Sequence, residues 1–267
     1  GVIMKRKFAT FLILILALAI SACSTQGTTA ASPLESDLVE TAFSVEPTPA
    51  DTTAISAESM TEANGLTHES PDDYIWDSSS AITVTLEGNS ATAGGDGVTI
   101  DGSQVTITEA GTYSLSGTLT EGQLIVDTKD EETVKIILDD VSITSKNSAP
   151  LYVKNAEKVV LILTENSENT LTDGSDYVYE SDEVDEPNAA LFSDADLTVY
   201  GSGELTVTGN YNDGIASKDG LIFAGGNIIV SAVDDGVRGK DYAVLKDGTL
   251  TISATGDGLK ADNEDDI

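Results

Sequence analysis

From Ala81 onward, short apolar runs alternate with polar residues. Ile82-Thr83-Val84-Thr85-Leu86 is the first, and the runs at 98–100, 105–107, 113–115 and 124–126 repeat it. Further runs fall at 134–138, 141–143, 151–153 and 159–163. A period of two predicts half-buried β-strands, and no segment here carries the 3.6-residue period of an amphipathic helix. Turn residues separate the runs: Asp101-Gly102, Ala110-Gly111, Glu121-Gly122, Asp139-Asp140, Asn147-Ser148 and Asn155. Taken alone, these strands would also suit an antiparallel sandwich.

A strict repeat further on decides against the sandwich. Asp213-Gly214-Ile215, Asp235-Gly236-Val237 and Asp257-Gly258-Leu259 are spaced by 22 residues (235 − 213 and 257 − 235). Between them recur Leu205-Thr206-Val207, Ile228-Ile229-Val230 and Leu250-Thr251-Ile252. A fixed period of this length marks a repeat architecture, and a repeat built of strands is one coil of a solenoid. The expectation is therefore an all-β parallel β-helix with about 22 residues per coil in the C-terminal part and three strands per coil. Apolar side chains would stack into one interior core, with the Asp-Gly turns along one edge. The acidic stretch from Asp173 to Asn188, with Tyr177 and Tyr179, reads as an inserted surface loop able to meet a cation or a sugar, or as a plain solvated loop. The sequence stops directly after the third repeat without a cap. An open solenoid end exposes strand edges, so a longer parent chain is expected.

The N-terminal part has a different composition. Met4 reads as the initiator, Lys5-Arg6-Lys7 as a basic flank and Phe8 to Ile20 as an apolar run too short to span a bilayer comfortably. The run ends in Ser21-Ala22-Cys23, which resembles the lipobox of bacterial lipoproteins and implies acylation of Cys23, the only cysteine. Residues 24–80 are rich in Ser, Thr, Ala, Pro and acidic residues and predict a disordered tether. The expected organisation is a signal peptide at 1–23, a tether at 24–80 and a β-helical domain at 81–267. The protein would then sit outside the cytoplasm, anchored to the membrane through acyl chains alone. His68, the only histidine, reads as a tether residue, and Trp76, the only tryptophan, as a lid over the open end of the first coil.

Charge narrows the partners. The formal net charge is −33. Without the three basic residues of the leader, 10 basic residues (13 − 3) stand against 46 acidic ones. Nucleic acid is excluded as a partner, because its binding rests on basic patches. Stacked about 4.8 Å apart, Asp213, Asp235 and Asp257 would repel by about 1 kcal/mol per pair in bulk water and about 3.5 at an effective dielectric near 20. Two sources of positive charge could offset this. One is pairing with Lys218 and Lys240, helped by Arg238 and Lys260. The other is Ca²⁺, which takes six to eight oxygens, with Asp234, Asn212, Asp219 and Asp241 as further candidate ligands. Lys218, Lys240 and Arg238 are the candidate ligand-binding cations.

The order of lipobox, Ser/Thr tether, Ala110-Gly111-Thr112-Tyr113-Ser114-Leu115-Ser116-Gly117 and repeated Asp-Gly-(Ile/Val/Leu) coils resembles the carbohydrate-binding-domain lipoproteins of clostridia and related bacteria. The resemblance runs from about Ser80 to the end. It implies a right-handed parallel β-helix with calcium sites, Asp213, Asp235 and Asp257 matching the repeated motif. It also implies non-catalytic binding of plant cell-wall polysaccharide, pectic or cellulosic. With one Trp, eight Tyr and five Phe, a flat aromatic platform is disfavoured, and an acidic glycan bridged by Ca²⁺ is preferred. A Ca²⁺-dependent polysaccharide lyase is the alternative enzyme reading; its base would be Lys218, Arg238 or Lys240. A structural or adhesive β-helix is the third.

Overall fold

The computed structural model describes residues 67–181 and 183–263, all within the compact unit Ile55–Ile267. Cys23, the signal peptide and the tether up to residue 66 lie outside the described residues. The order of elements opens with a one-turn 3-10 helix, Pro71–Tyr74, then β1 (Ile82–Gly88), β2 (Ala91–Ala93), β3 (Val98–Asp101), β4 (Gln104–Ile107), β5 (Gly111–Leu119) and β6 (Gln123–Asp127). β7 (Val134–Thr144), β8 (Leu151–Asn155), β9 (Lys158–Leu163), β10 (Glu168–Thr172), β11 (Ala189–Ser193) and β12 (Asp196–Gly201) follow. β13 (Glu204–Gly209), β14 (Asp213–Ser217), β15 (Gly220–Ala232), β16 (Val237–Gly239), β17 (Tyr242–Ala254) and β18 (Leu259–Ala261) complete it.

Among the described residues the protein is all-β and almost free of helix. β1 pairs antiparallel with β2, and β3 with β4; every later pairing is parallel and joins one repeat to the next. Three rows of strands result. One runs β4–β6–β8–β11–β14–β16–β18. A second passes through β5, the first half of β7, β9, β12 and the first half of β15 to β17. The third joins the second half of β7 to β10, β13 and the second halves of β15 and β17. β15 turns the corner between two rows at Gly225-Gly226, where its pairing with β17 shifts register.

The period-two pattern explains the interior. In β13 the burial alternates strictly, with Leu205 and Val207 inside. One cluster of buried side chains runs the length of the repeats, from Val84 and Val105 to Ile228 and Val237. β11 and β14 break the alternation and are buried throughout, because Phe192 and Ala216 face outward into a second apolar cluster with Ala149 and Ala189.

The expected tether boundary at 80 is moved by what the chain does after residue 66. His68 is held by Tyr242 and Thr198, so it is not a free tether residue. Trp76 packs beside Ile137, Val160 and Ile162 and meets Tyr200 edge-on. It lies on the flank of the second row and does not cover the open end of the first repeat. Part of the outward side of that row, at Ile137, Val160 and Ile162, is apolar, and the segment shields it.

Candidate functional site

The first Asp-Gly motif lies within a strand, and the other two form the bends that lead into one. Asp213 opens β14, and Asp235 and Asp257 lie two residues before β16 and β18. Packing requires the first two glycines: a Cβ on Gly214 would lie 2.7 Å from the Gly236 carbonyl, and one on Gly236 the same distance from that of Gly258, whereas one on Gly258 would meet open space. The first two would also collide with an interior side chain, Val230 and Ile252 respectively.

The aspartates do stack, with their charges met from the following repeat. Asp213 is 2% exposed. Its Oδ2 accepts two hydrogen bonds from Arg238, and its Oδ1 accepts the Asp235 N–H and an Asn212 Nδ2–H. Burial pushes the Asp213 pKa up and the Arg238 guanidinium opposes the push. Asp235 repeats the pattern: Oδ1 accepts the Asp257 N–H at 2.8 Å and Oδ2 faces Lys260 Nζ at 3.0 Å. Burial raises the Asp235 pKa, and the Asp257 N–H and Lys260 together outweigh it, leaving the carboxyl below its usual value.

Protein donors already engage the carboxylates of Asp213 and Asp235. Four protein hydrogen bonds already use the Asp213 oxygens, and among the described residues no group of three His, Cys, Asp or Glu side chains is placed to hold a metal ion. Asp234 joins its neighbours through the backbone, its N–H donating to Asn212 O. Asp219 and Asp241 lie at the opposite ends of the same strands, where the Asp241 N–H donates to Asp219 O. The seven expected ligands are thus divided between two edges, because a strand separates the two halves of each motif.

The expected cations divide in the same way. Lys218 pairs with Glu186 at 2.6 Å and lies 3.9 Å from Asp194; the Glu186 hydrogen bond raises its pKa. Lys240 is exposed on the next turn, where its charge acts on Asp219. Arg238 is committed to Asp213 and Asn188. Arg238 and Lys260, not Lys218 and Lys240, neutralise the aspartate stack.

A groove that the sequence did not reveal lies further along the first row. Its floor is the outward side of three consecutive strands: Gln104 on β4, Gln123 and Ile125 on β6, and Tyr152 and Lys154 on β8. The inserted segment forms the wall with Val178, Tyr179, Val184 and Glu186. Val178 and Val184 are 71% and 41% exposed. The cavity is about 470 Å³ and continues past Asn147 and Ser148 into a second of about 250 Å³ that ends at Lys146.

Several contacts fix this geometry. Gln123 Nε2 donates to Ser148 Oγ at 3.0 Å and to Ala149 O at 2.7 Å, which leaves its amide oxygen for a ligand. Tyr152 packs edge-on against Phe192 and donates to Asp194 Oδ2 at 3.2 Å. At the base of the insertion, Tyr177 stacks on Tyr211 with ring centroids 4.2 Å apart and an angle of 15°, and donates to the buried Asp173 at 2.8 Å. Burial raises the Tyr152, Tyr177 and Tyr179 pKa values, so all three stay neutral hydroxyls at ordinary pH. The only sequence sign of this cluster was the Tyr-rich composition of the insertion.

The family model for carbohydrate-binding domain-containing proteins matches residues 101–267. The chain belongs to that family. Over 137 residues it is 42% identical to a carbohydrate-binding domain-containing protein of Acetivibrio thermocellus, a match covering 51% of this chain and 48% of the relative. The chain thus spans about half the length of the curated relative it matches. A solved structure described as the polysaccharide lyase-like protein from C. thermocellum, in a gadolinium derivative, aligns with a TM-score of 0.68 and 36% identity. That alignment covers 70% of this chain and 76% of the other.

Proposed function

We propose that this chain is a non-catalytic polysaccharide-binding module, held outside the cytoplasm by a lipid on Cys23, and that its stacked repeats form a right-handed parallel β-helix. The observation that carries the reading is the groove between the insertion and β4, β6 and β8. It offers tyrosines with an apolar face and a polar tip, amides that can both donate and accept, and a volume in the range of ligand sites. Pyranose rings present the complementary surface, apolar C–H faces bordered by hydroxyls. Family membership supports a carbohydrate ligand. Calcium on the aspartate stack has no part in this reading, since Arg238 and Lys260 already meet those charges.

A lyase is the second reading, favoured by the likeness to a protein described as polysaccharide lyase-like. Proton abstraction needs an unprotonated base. Arg238 does not lose its proton in proteins, and the Glu186 hydrogen bond holds Lys218 protonated. Only Lys240 of the three remains, on an exposed turn. The residues support binding over elimination.

Titration calorimetry with a panel of cell-wall oligosaccharides tests this, with absorbance of unsaturated uronate ends followed alongside. Saturable binding that is lost in Tyr152→Ala and Gln123→Ala, with unchanged melting and flat absorbance, carries the reading. Rising absorbance converts it to the lyase. Undiminished binding in both variants removes the groove as the site.

A further inference from the structure

The segment ahead of β1 lies as a strap along the outer side of the second row, and three lysines from different strands converge on it. Lys135 on β7 donates to the Asp72 and Ile75 carbonyls. Lys158 on β9 pairs with Asp73 at 2.7 Å and donates to His68 O at 3.2 Å; the two side chains are only 12% and 2% exposed. Lys246 on β17 pairs with Glu69. The His68 ring, 6% exposed, meets the Tyr242 hydroxyl at 2.7 Å and Thr198 Oγ1 at 2.8 Å. Tyr74 and Trp76 pack on Tyr200.

What the strap covers is unusual for this protein. Three of its few cations share one row of strands, beside Tyr200, Tyr242 and Thr198 and over the apolar Val160 and Ile162. On a chain of net charge −33, this is a lysine-bearing, tyrosine-lined channel several repeats long, with Asp196, Asp219 and Asp241 beside its Tyr242 end. Into it the strap places two carboxylates, three carbonyl oxygens and aromatic rings. Those are the acceptors and the apolar surface that an extended chain of acidic sugars would bring.

We propose that the channel is a latent site for a polyanionic, carboxylate-bearing glycan, and that residues 68–76 inhibit it by occupying it as an internal stand-in. Lys135, Lys158 and Lys246 would take the carboxylates directly, without a bridging metal. At the Tyr242 end, Asp196 lies 3.0 Å from His68, so a sugar hydroxyl and not a carboxylate suits that position. A tethered strap competes at an effective concentration of about millimolar, and apparent affinity falls with the fraction of strap-free molecules. The site is separate from the groove, which lies on the first row, and does not depend on the groove's assignment.

The test uses the full chain with polygalacturonate in the presence of chelator, and the single tryptophan as reporter. In Glu69→Gln/Asp73→Asn the strap should release, shifting Trp76 emission to the red and opening residues 68–76 to protease. Polygalacturonate affinity should then rise about tenfold or more. Adding Lys135→Gln and Lys246→Gln to that variant should abolish the gain, while binding of neutral oligosaccharide in the groove stays unchanged. Strap release without any gain in affinity overturns the proposal and leaves the strap a structural brace. If the variant does not fold, wild-type titration decides: a red shift of Trp76 on saturation supports displacement, and constant emission overturns it.

Discussion

Arg238 reaches back one repeat to Asp213, its Nε and Nη2 both donating to Oδ2, at 3.0 and 2.9 Å. The two residues are 25 positions apart, one period plus three, and Lys260 stands in the same relation to Asp235. Each of the first two motifs therefore carries an acid that the next motif's base neutralises.

Breaking the first pair leaves a buried carboxylate alone. Arg238→Ala should destabilise by about 3–5 kcal/mol, read as a lower urea midpoint. Asp213→Asn/Arg238→Met removes both charges and should recover most of the loss. An unchanged midpoint in Arg238→Ala would show that the pair does not brace the stack.

The second pair gives a pH signature. Asp235 in the fold lies below its ordinary 3.8, so its contribution is fully present above pH 3.8 and is lost as pH falls through the folded value. Melting temperatures of wild type and Asp235→Asn, compared from pH 7 downward, should differ at neutral pH and converge in acid. A constant difference across that range contradicts the assignment.

At the corner of β15, a Cβ on Gly225 would stand 2.5 Å from the Gly201 carbonyl. The obstacle is backbone and cannot rotate away. Gly225→Ala should cost about 1–3 kcal/mol, measured by equilibrium unfolding, and a neutral result would mean that the repeats can separate there at little cost.

Phe192 should matter for the groove as much as for stability. It is fully buried on the outward side of β11 and supports Tyr152. Phe192→Ala should cost about 3–5 kcal/mol and make the 174–187 segment easier to cleave. Tyr179→Ala, on the groove wall, should leave melting unchanged and weaken oligosaccharide binding by about 1 kcal/mol.

Much of the strand pattern was legible because burial alternates with period two. The runs at 82–86, 113–115, 134–138 and 205–207 all fall inside strands. β11 and β14 were harder to read: Ala189–Ser193 and Asp213–Ser217 are buried on both sides, which erases the alternation. The Asp-Gly pairs read as turns because Gly commonly marks them, whereas at Gly214 and Gly236 interior packing excludes a Cβ. The groove could not be read, since Gln104, Gln123, Tyr152 and Tyr179 come from four separate stretches of chain.

By itself the sequence determined that this is a repeating all-β chain with stacked acid motifs, because period and alternation are local properties of the chain. Tertiary structure alone decided which base answers which acid, since the partner lies 25 residues away on the next repeat. It also decided that His68 and Trp76 belong to a strap. A polar segment becomes ordered only when a surface with matching charges and an apolar floor is folded beneath it.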